Sequence, residues 1–347
     1  MSDPVRLAIV GFGLVGQRHA AAFEALQTPV LAAIVEPAVD AQQRARDLGL
    51  PVYESLETLF ASEQVDGIVL ATPTPLHVEQ GLACITHDTP VLIEKPIAVS
   101  AHDAGVLVDE ADRRGVPVLV GHHRRYNGRV RAAKAALDAG EIGAVRAIHA
   151  TCWFYKPDPY FAEAPWRTRK GAGPVSVNLV HDVDLLRHFC GEVESVKAQT
   201  VPSVRGFENE DLAAAILTFH SGAVATLSVS DATVSPWSWE FTASENPAYP
   251  MTGQSAYLIG GSTGALSVPD LRRWRHQNQP DWWDPMGATL LQSHDDDPLV
   301  AQLQHFADVI RGAALPVVSG LEGLRSVAVV EAIQIAAETD KTVRLEP

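Results

Sequence analysis

The chain has 347 residues, 46% hydrophobic and 20% charged, an ordinary globular composition in a chain longer than one core usually holds, so two domains are expected. A formal net charge of −15 repels polyanions and weighs against nucleic acid and anionic membrane as partners. Three widely spaced cysteines, Cys84, Cys152 and Cys190, make neither a zinc pattern nor a disulfide framework.

The first 120 or so residues alternate between strand and helix patterns. Residues 5–10 read as a buried strand, 14–26 as an alanine-rich helix, 30–35 as a second strand and 38–48 as a second helix. Residues 67–71 and 91–93 are short apolar strands, 101–114 is a helix stopped by Gly115, and 116–120 is one more strand. Such alternation builds βαβ units, and so a parallel, doubly wound sheet with helices on both faces.

The texture changes after Gly121. A helix at 129–139 precedes longer alternating runs at 145–154, 193–200, 212–220, 223–231 and 256–259, with Ser221-Gly222 as a hairpin turn. That pattern predicts a large, mostly antiparallel sheet with one face covered, interrupted by a helix over 173–190. Residues 237–252 and 281–298, the latter containing His294-Asp295-Asp296-Asp297, read as loops, and helices close the chain near 299–311 and 321–338. The domains are drawn as 1–122, α/β, and 123–347, α+β. The start carries no basic leader, and no apolar run reaches the ~20 residues that span a bilayer. With the cysteine usage, this predicts a cytoplasmic protein.

Gly11-x-Gly13-x-x-Gly16 follows the first strand and opens a helix, as a dinucleotide loop requires. The first glycine allows a tight turn, the second lets backbone approach a pyrophosphate, and the third lets helix pack on strand. The amides of Leu14 and Val15 then stand at a helix N-terminus, which attracts an anion. Glu36 closes the second strand, twenty residues after Gly16. A carboxylate there accepts from a ribose diol and repels a 2′-phosphate, which favours NAD over NADP.

Ala71-Thr72-Pro73-Thr74-Pro75 follows another strand, and its prolines keep it extended. It suits a ligand loop at the carboxyl ends of the strands, and equally a stiff connection. Glu94-Lys95-Pro96 also ends a strand. A lysine there is either a surface residue of a turn or a group that exchanges a proton with a reacting oxygen. Gly260-x-Ser262-x-Gly264 matches a hydrolase pattern, but strands flank it on both sides, so it is a hairpin turn and not a nucleophile elbow.

In this order, the glycine motif, Ala71-Thr72-Pro73 with His77, Glu94-Lys95-Pro96 and a glycine turn before a histidine helix resemble the Gfo/Idh/MocA oxidoreductases over nearly the whole chain. The resemblance implies a Rossmann domain, a second domain often used for oligomer contacts (a homodimer or homotetramer), and NAD(P)-dependent oxidation or reduction of a sugar, inositol, polyol or sugar acid. It implies that Lys95 contacts the reacting oxygen and that His181 is the general acid/base, at the cleft between domains. Thr72, Pro73, His77, Glu94 and Arg125 fall on the cofactor side, although Arg125 could equally pair with an acidic neighbour. Many relatives carry an aspartate four residues before the histidine, where this chain has Val177. Asn178, three before His181, becomes an orienting group, and Asp184, three after, a substrate contact or a tuner of the histidine. Trp166 and Arg167 suit a polyol or sugar acid, or else an interface. Asp184 and His188 lack a third metal ligand, so no metal is expected. Two rivals remain: an NAD-dependent glycosidase or epimerase that oxidises transiently, and a sugar sensor without chemistry.

Overall fold

Strands covered on both faces show little alternation, and that is how the first sheet is built. The computed structural model describes residues 3–294 and 296–346, so Asp295 of the acidic run lies outside the described residues. The first half contains β1 (Arg6–Val10), α1 (Leu14–Ala22), β2 (Val30–Val35), α2 (Val39–Arg46), β3 (Val52–Tyr53), α3 (Leu56–Ser62), β4 (Gly67–Leu70), α4 (His77–Thr86), β5 (Val91–Ile93), α5 (Ala101–Arg114) and β6 (Val118–Val120). These six strands lie in the order β3-β2-β1-β4-β5-β6, parallel throughout. The strand order reverses between β1 and β4, the switch point where open α/β sheets bind ligands. Every residue of β4, β5 and β6 is buried, and separate apolar clusters cover the two faces.

The second half continues with α6 (Gly128–Asp138), β7 (Val145–Trp153), α7 (Asp158–Ala162), α8 (Pro174–Val177), α9 (Leu179–Cys190), β8 (Val193–Pro202), β9 (Glu210–Phe219), β10 (Val224–Ser230), α10 (Trp239–Thr242), β11 (Tyr257–Gly261), β12 (Gly264–Val268), β13 (Arg272–His276) and β14 (Met286–Leu290). It closes with α11 (Pro298–Ile310), α12 (Gly320–Thr339) and β15 (Val343–Arg344). Nine strands form one sheet in the order β14-β13-β12-β11-β7-β10-β9-β8-β15, antiparallel except for β7 with β10. Its strands alternate as expected: Ala213, Ala215 and Leu217 of β9 point into the core, while Ala214 and Ile216 are exposed. Gly260 to Gly264 joins β11 to β12 as an antiparallel hairpin, in agreement with the turn assigned from sequence.

Parts of the chain differ from the sequence expectation, among them α10 inside the presumed loop 237–252 and the unassigned strand β13. The helix over 173–190 is broken at Asn178 into α8 and α9. The presumed loop 281–298 contains β14, whose five residues are all exposed and so carry no burial signal. The chain also divides discontinuously, into Met1–Tyr126 with Asp296–Val327 and Asn127–Asp295 with Ala328–Pro347, whereas the sequence suggests one boundary after residue 122. The cause is packing: Leu303, Phe306 and Ala307 of α11 join Leu7, Ile9 and Val69 in one buried cluster.

Candidate active site

In the first unit, the loop after β1 is shaped by what it cannot hold. Gly11 has φ +88°, and a Cβ on it would stand 2.8 Å from the Ala71 carbonyl oxygen, so the loops after β1 and β4 meet there. A Cβ on Gly16 would fall 2.0 Å from the Gly11 carbonyl oxygen, whereas one on Gly13 would meet nothing within 4 Å. The middle glycine is therefore open on the side where backbone would approach a ligand. α1 has no side-chain cap and no acidic residue in its first turn. Leu14 and Val15, both exposed, complete an N-terminus suited to a pyrophosphate.

Glu36 is buried at the end of β2. Its Oε2 accepts from the Phe12 amide at 2.7 Å and its Oε1 from the Ala38 amide at 2.8 Å. The carboxylate thus ties the glycine loop to β2. Each oxygen has a second lone pair, which a ribose hydroxyl can use. Glycine turn, bare helix end and acid together fit a dinucleotide.

After β4, Thr72 and Pro73 sit on a loop whose Thr72 hydroxyl donates to Gln80 Oε1 at 2.6 Å. His77 is buried and its ring faces two carbonyls, Thr72 O at 2.8 Å from Nε2 and Pro96 O at 2.9 Å from Nδ1. Only a doubly protonated ring donates to both, and burial works against that form, pushing the pKa down while the two carbonyls and the Glu94 charge push it up. Both ring nitrogens of His77 face backbone, so the side chain holds two loops together. The residue assigned to the cofactor side from sequence thus has both ring nitrogens turned to backbone carbonyls.

Glu94 ends β5 as a buried carboxylate. His19 Nε2, on α1, donates to its Oε1 at 2.8 Å, and the Lys95 amide donates to its Oε2 at 3.1 Å. Burial alone would raise its pKa, but the His19 hydrogen bond and the charges of His19, His123 and Lys95 hold it at about 2. Gly121 leaves room for it: a Cβ there would lie 2.8 Å from the carboxyl carbon. Glu94 therefore anchors the backbone of Lys95, whose side chain is half-buried. Arg125 is buried with Nη2 2.7 Å from Glu322 Oε2, which is the acidic-neighbour alternative.

In the second unit, α9 carries His181 and Asp184, both buried, and every residue of this helix except His188 is buried. The Tyr257 hydroxyl donates to Asp182 Oδ1. Glu210 accepts from the Val175 amide at 3.1 Å, and Gly173 makes way for its carboxylate, since a Cβ there would lie 2.2 Å from Oε1. Asn178, between α8 and α9, accepts from Lys156 Nζ at 2.7 Å. Arg167 is held locally, 4.1 Å from the Tyr160 ring centroid and 2.9 Å from Glu163, beside an exposed Trp166.

Sequence reasoning gave no specific role to three polar groups of these networks, although Lys156 lies in the segment of aromatics and cations around Trp166 and Arg167. His19 lies a turn inside the dinucleotide helix, Lys156 follows the end of β7, and Asp231 follows the end of β10. The last two carried the usual signal of a strand's end. Among the described residues, no His, Cys, Asp and Glu grouping of three or more is placed to hold a metal ion, and no helix is long and apolar enough to cross a membrane.

Comparison with known proteins matches residues 5–122 to an oxidoreductase family model, NAD-binding Rossmann fold, and residues 130–266 to a GFO/IDH/MocA C-terminal domain model. The chain is 23% identical to scyllo-inositol 2-dehydrogenase (NADP(+)) IolW of Bacillus subtilis over 99% of its own length and 97% of that protein's. It is 25% identical to scyllo-inositol 2-dehydrogenase (NAD(+)) of the same organism, over 93% and 91%. Among solved structures it is similar to the WlbA dehydrogenase of Bordetella pertussis, in complex with NADH and UDP-GlcNAcA, with a TM-score of 0.80 and 26% identity over 99% and 100% of the two chains.

Proposed function

Because the chain belongs to the Gfo/Idh/MocA oxidoreductases, we propose that Lys95 and His181 handle the proton of the carbinol or carbonyl oxygen it acts on. The protein is an NAD(P)-dependent oxidoreductase of CH–OH groups in sugars or polyols. When bound, the nicotinamide supplies the hydride acceptor or donor. Gly11, Gly13, Leu14, Val15 and Gly16 would hold the pyrophosphate, Glu36 the ribose, and Thr72 and Pro73 the loop side. Lys95 stabilises negative charge that develops on the substrate oxygen, and His181 takes or returns its proton. Asn178, Asp184, Trp166 and Arg167 line the substrate side of the second unit. The carrying observation is the end of β5, where a carboxylate kept charged secures the Lys95 backbone beside the switch point.

Glu36 supports NAD over NADP through charge repulsion, although one relative uses NADP. The experiment is a dehydrogenase screen with both cofactors against sugars, inositols and sugar acids. Growth of NADH absorbance with substrate supports the assignment. Substrate consumption without net NADH identifies the glycosidase or epimerase alternative, and tight NADH binding with no turnover identifies the sensor.

A homo-oligomer belongs to the same proposal. Ile216, Thr226, His149 and Leu258 are register neighbours across β9, β10, β7 and β11, and all are exposed. A second copy covering this face would bury Ile216 and Leu258, and light scattering of the eluting protein tests it. A cytoplasmic setting is likewise proposed, supported by three buried free thiols.

A further inference from the structure

Lys156 is 5% exposed, follows β7 by three residues and is held on several sides. Its Nζ lies 2.7 Å from Asn178 Oδ1, 3.8 Å from Asp231 Oδ2 and 5.1 Å from the Tyr160 ring centroid. Asp231 is itself fixed: Arg205 Nη1 donates to its Oδ1 at 3.1 Å and Nη2 to its carbonyl at 3.0 Å. Arg205 Nη2 also donates to the Lys156 carbonyl at 2.9 Å, and the Lys156 amide donates to the Asp231 carbonyl at 2.8 Å. Burial pushes the Lys156 pKa down, and the Asp231 charge pulls it back.

This arrangement decides which end of Asn178 faces outward. An ammonium donates and never accepts, so the amide atom against it is the carbonyl oxygen. The amide NH2 remains, and among the described residues no protein group accepts from it. The backbone carbonyl of Asn178 accepts from the His181 amide at 3.2 Å, so Asn178 lies one turn before the histidine.

We propose that Lys156 is a positioning residue that turns Asn178 into a fixed donor, and that the substrate group received there is an acceptor-only oxygen, the carboxylate of a sugar acid. The inference rests on the oxidoreductase reading and narrows its substrate class. A hydroxyl facing the NH2 must find a second acceptor for its own proton. A carboxylate has no proton to place, and an N–H bond to an anion is roughly twice as strong as one to a neutral oxygen.

The test uses the NADH complex of the full chain and two probes with one carbon skeleton, D-gluconate and D-sorbitol, which differ only at C1. By calorimetry the wild type should bind gluconate at least about tenfold tighter than sorbitol. Lys156→Met frees the amide to turn, and the ratio should collapse to within about threefold. Lys156→Arg, also donor-only, should restore the preference. Asn178→Asp keeps a partner for Lys156 at nearly the same volume and should invert it, and this variant decides the matter should Lys156→Met fail to fold. A wild type without a gluconate preference, binding of neither probe, or an unchanged ratio in Asn178→Asp or folded Lys156→Met overturns the inference. A wild type that binds no NADH overturns the oxidoreductase reading and this inference with it. Turnover of neutral polyols without an acid preference overturns this inference alone.

Discussion

Each unit pairs a buried carboxylate with a lysine, and the two pairs work in opposite senses. Glu94 has a close donor on each oxygen, at 2.8 and 3.1 Å, and stays charged down to about 2. Asp231 has a donor at 3.1 Å on Oδ1, but the Lys156 ammonium at 3.8 Å from Oδ2 is too far for a hydrogen bond. There burial prevails and pushes the carboxyl up, against the charges of Lys156 and Arg205. At Glu94 the His19 hydrogen bond and the charges of His19, His123 and Lys95 outweigh burial, whereas at Asp231 burial prevails. The backbone amide of Lys95 bonds Glu94, and the side chain of Lys156 bonds Asn178.

The largest effect expected falls on the two residues proposed to handle the proton. Lys95→Ala and His181→Ala should each lower kcat by about two to four powers of ten, with NADH affinity nearly unchanged, as measured by initial rates and fluorescence titration. Full activity in either variant would remove that residue from the chemistry. Next in size is Phe306→Ala, which empties a fully buried position shared by α11 and the parallel sheet. It should cost about 3–5 kcal/mol in denaturant melts and so separate the first unit from the second. Loss of nothing would break the discontinuous division of the chain.

Gly16→Ala is expected to be milder for folding and severe for binding. Its Cβ would fall 2.0 Å from a backbone oxygen, so the loop must shift. A cost of about 1–3 kcal/mol and roughly tenfold weaker NADH binding follow, read by calorimetry.

The carboxylates give the smallest and most diagnostic signal. The folded pKa of Glu94, about 2, lies below its ordinary 4.5. Its contribution is therefore complete above about pH 4.5 and disappears as pH falls towards 2. Glu94→Gln should be less stable at neutral pH, by about 1–3 kcal/mol, and should flatten the acid limb of a melting-temperature profile. Asp231→Asn should remove a slope of the opposite sign, because a raised carboxyl loses stability as pH climbs above its ordinary 3.8. Equal slopes in the two variants would erase the contrast.

Much of the site is legible in one dimension because its demands are local. A positive φ, a Cβ with nowhere to go and an acid closing a strand are properties of a few neighbouring residues, so Gly11, Gly16 and Glu36 read directly. Strand ends mark Lys95 for the same reason. The pairings of these residues do not read that way. Arg125 meets Glu322 across 197 positions, and Glu94 meets His19 across 75. β13 and β14 escape notice because strands at the end of an open sheet that are largely exposed have no apolar alternation to show.

What the amino-acid sequence determines by itself is the fold class, the dinucleotide loop and the family, since each is encoded by spacing over short stretches, and the family likeness in turn singles out the lysine and histidine proposed above. Only tertiary structure decides that Asp296–Val327 returns to the first unit, that His77 braces two loops and that Glu94 stays charged. It also decides which face of the Asn178 amide is left for a ligand, because a donor-only lysine 22 residues away occupies the other. Hydrogen-bond polarity and burial depend on which groups meet, and these groups meet only once the chain has folded.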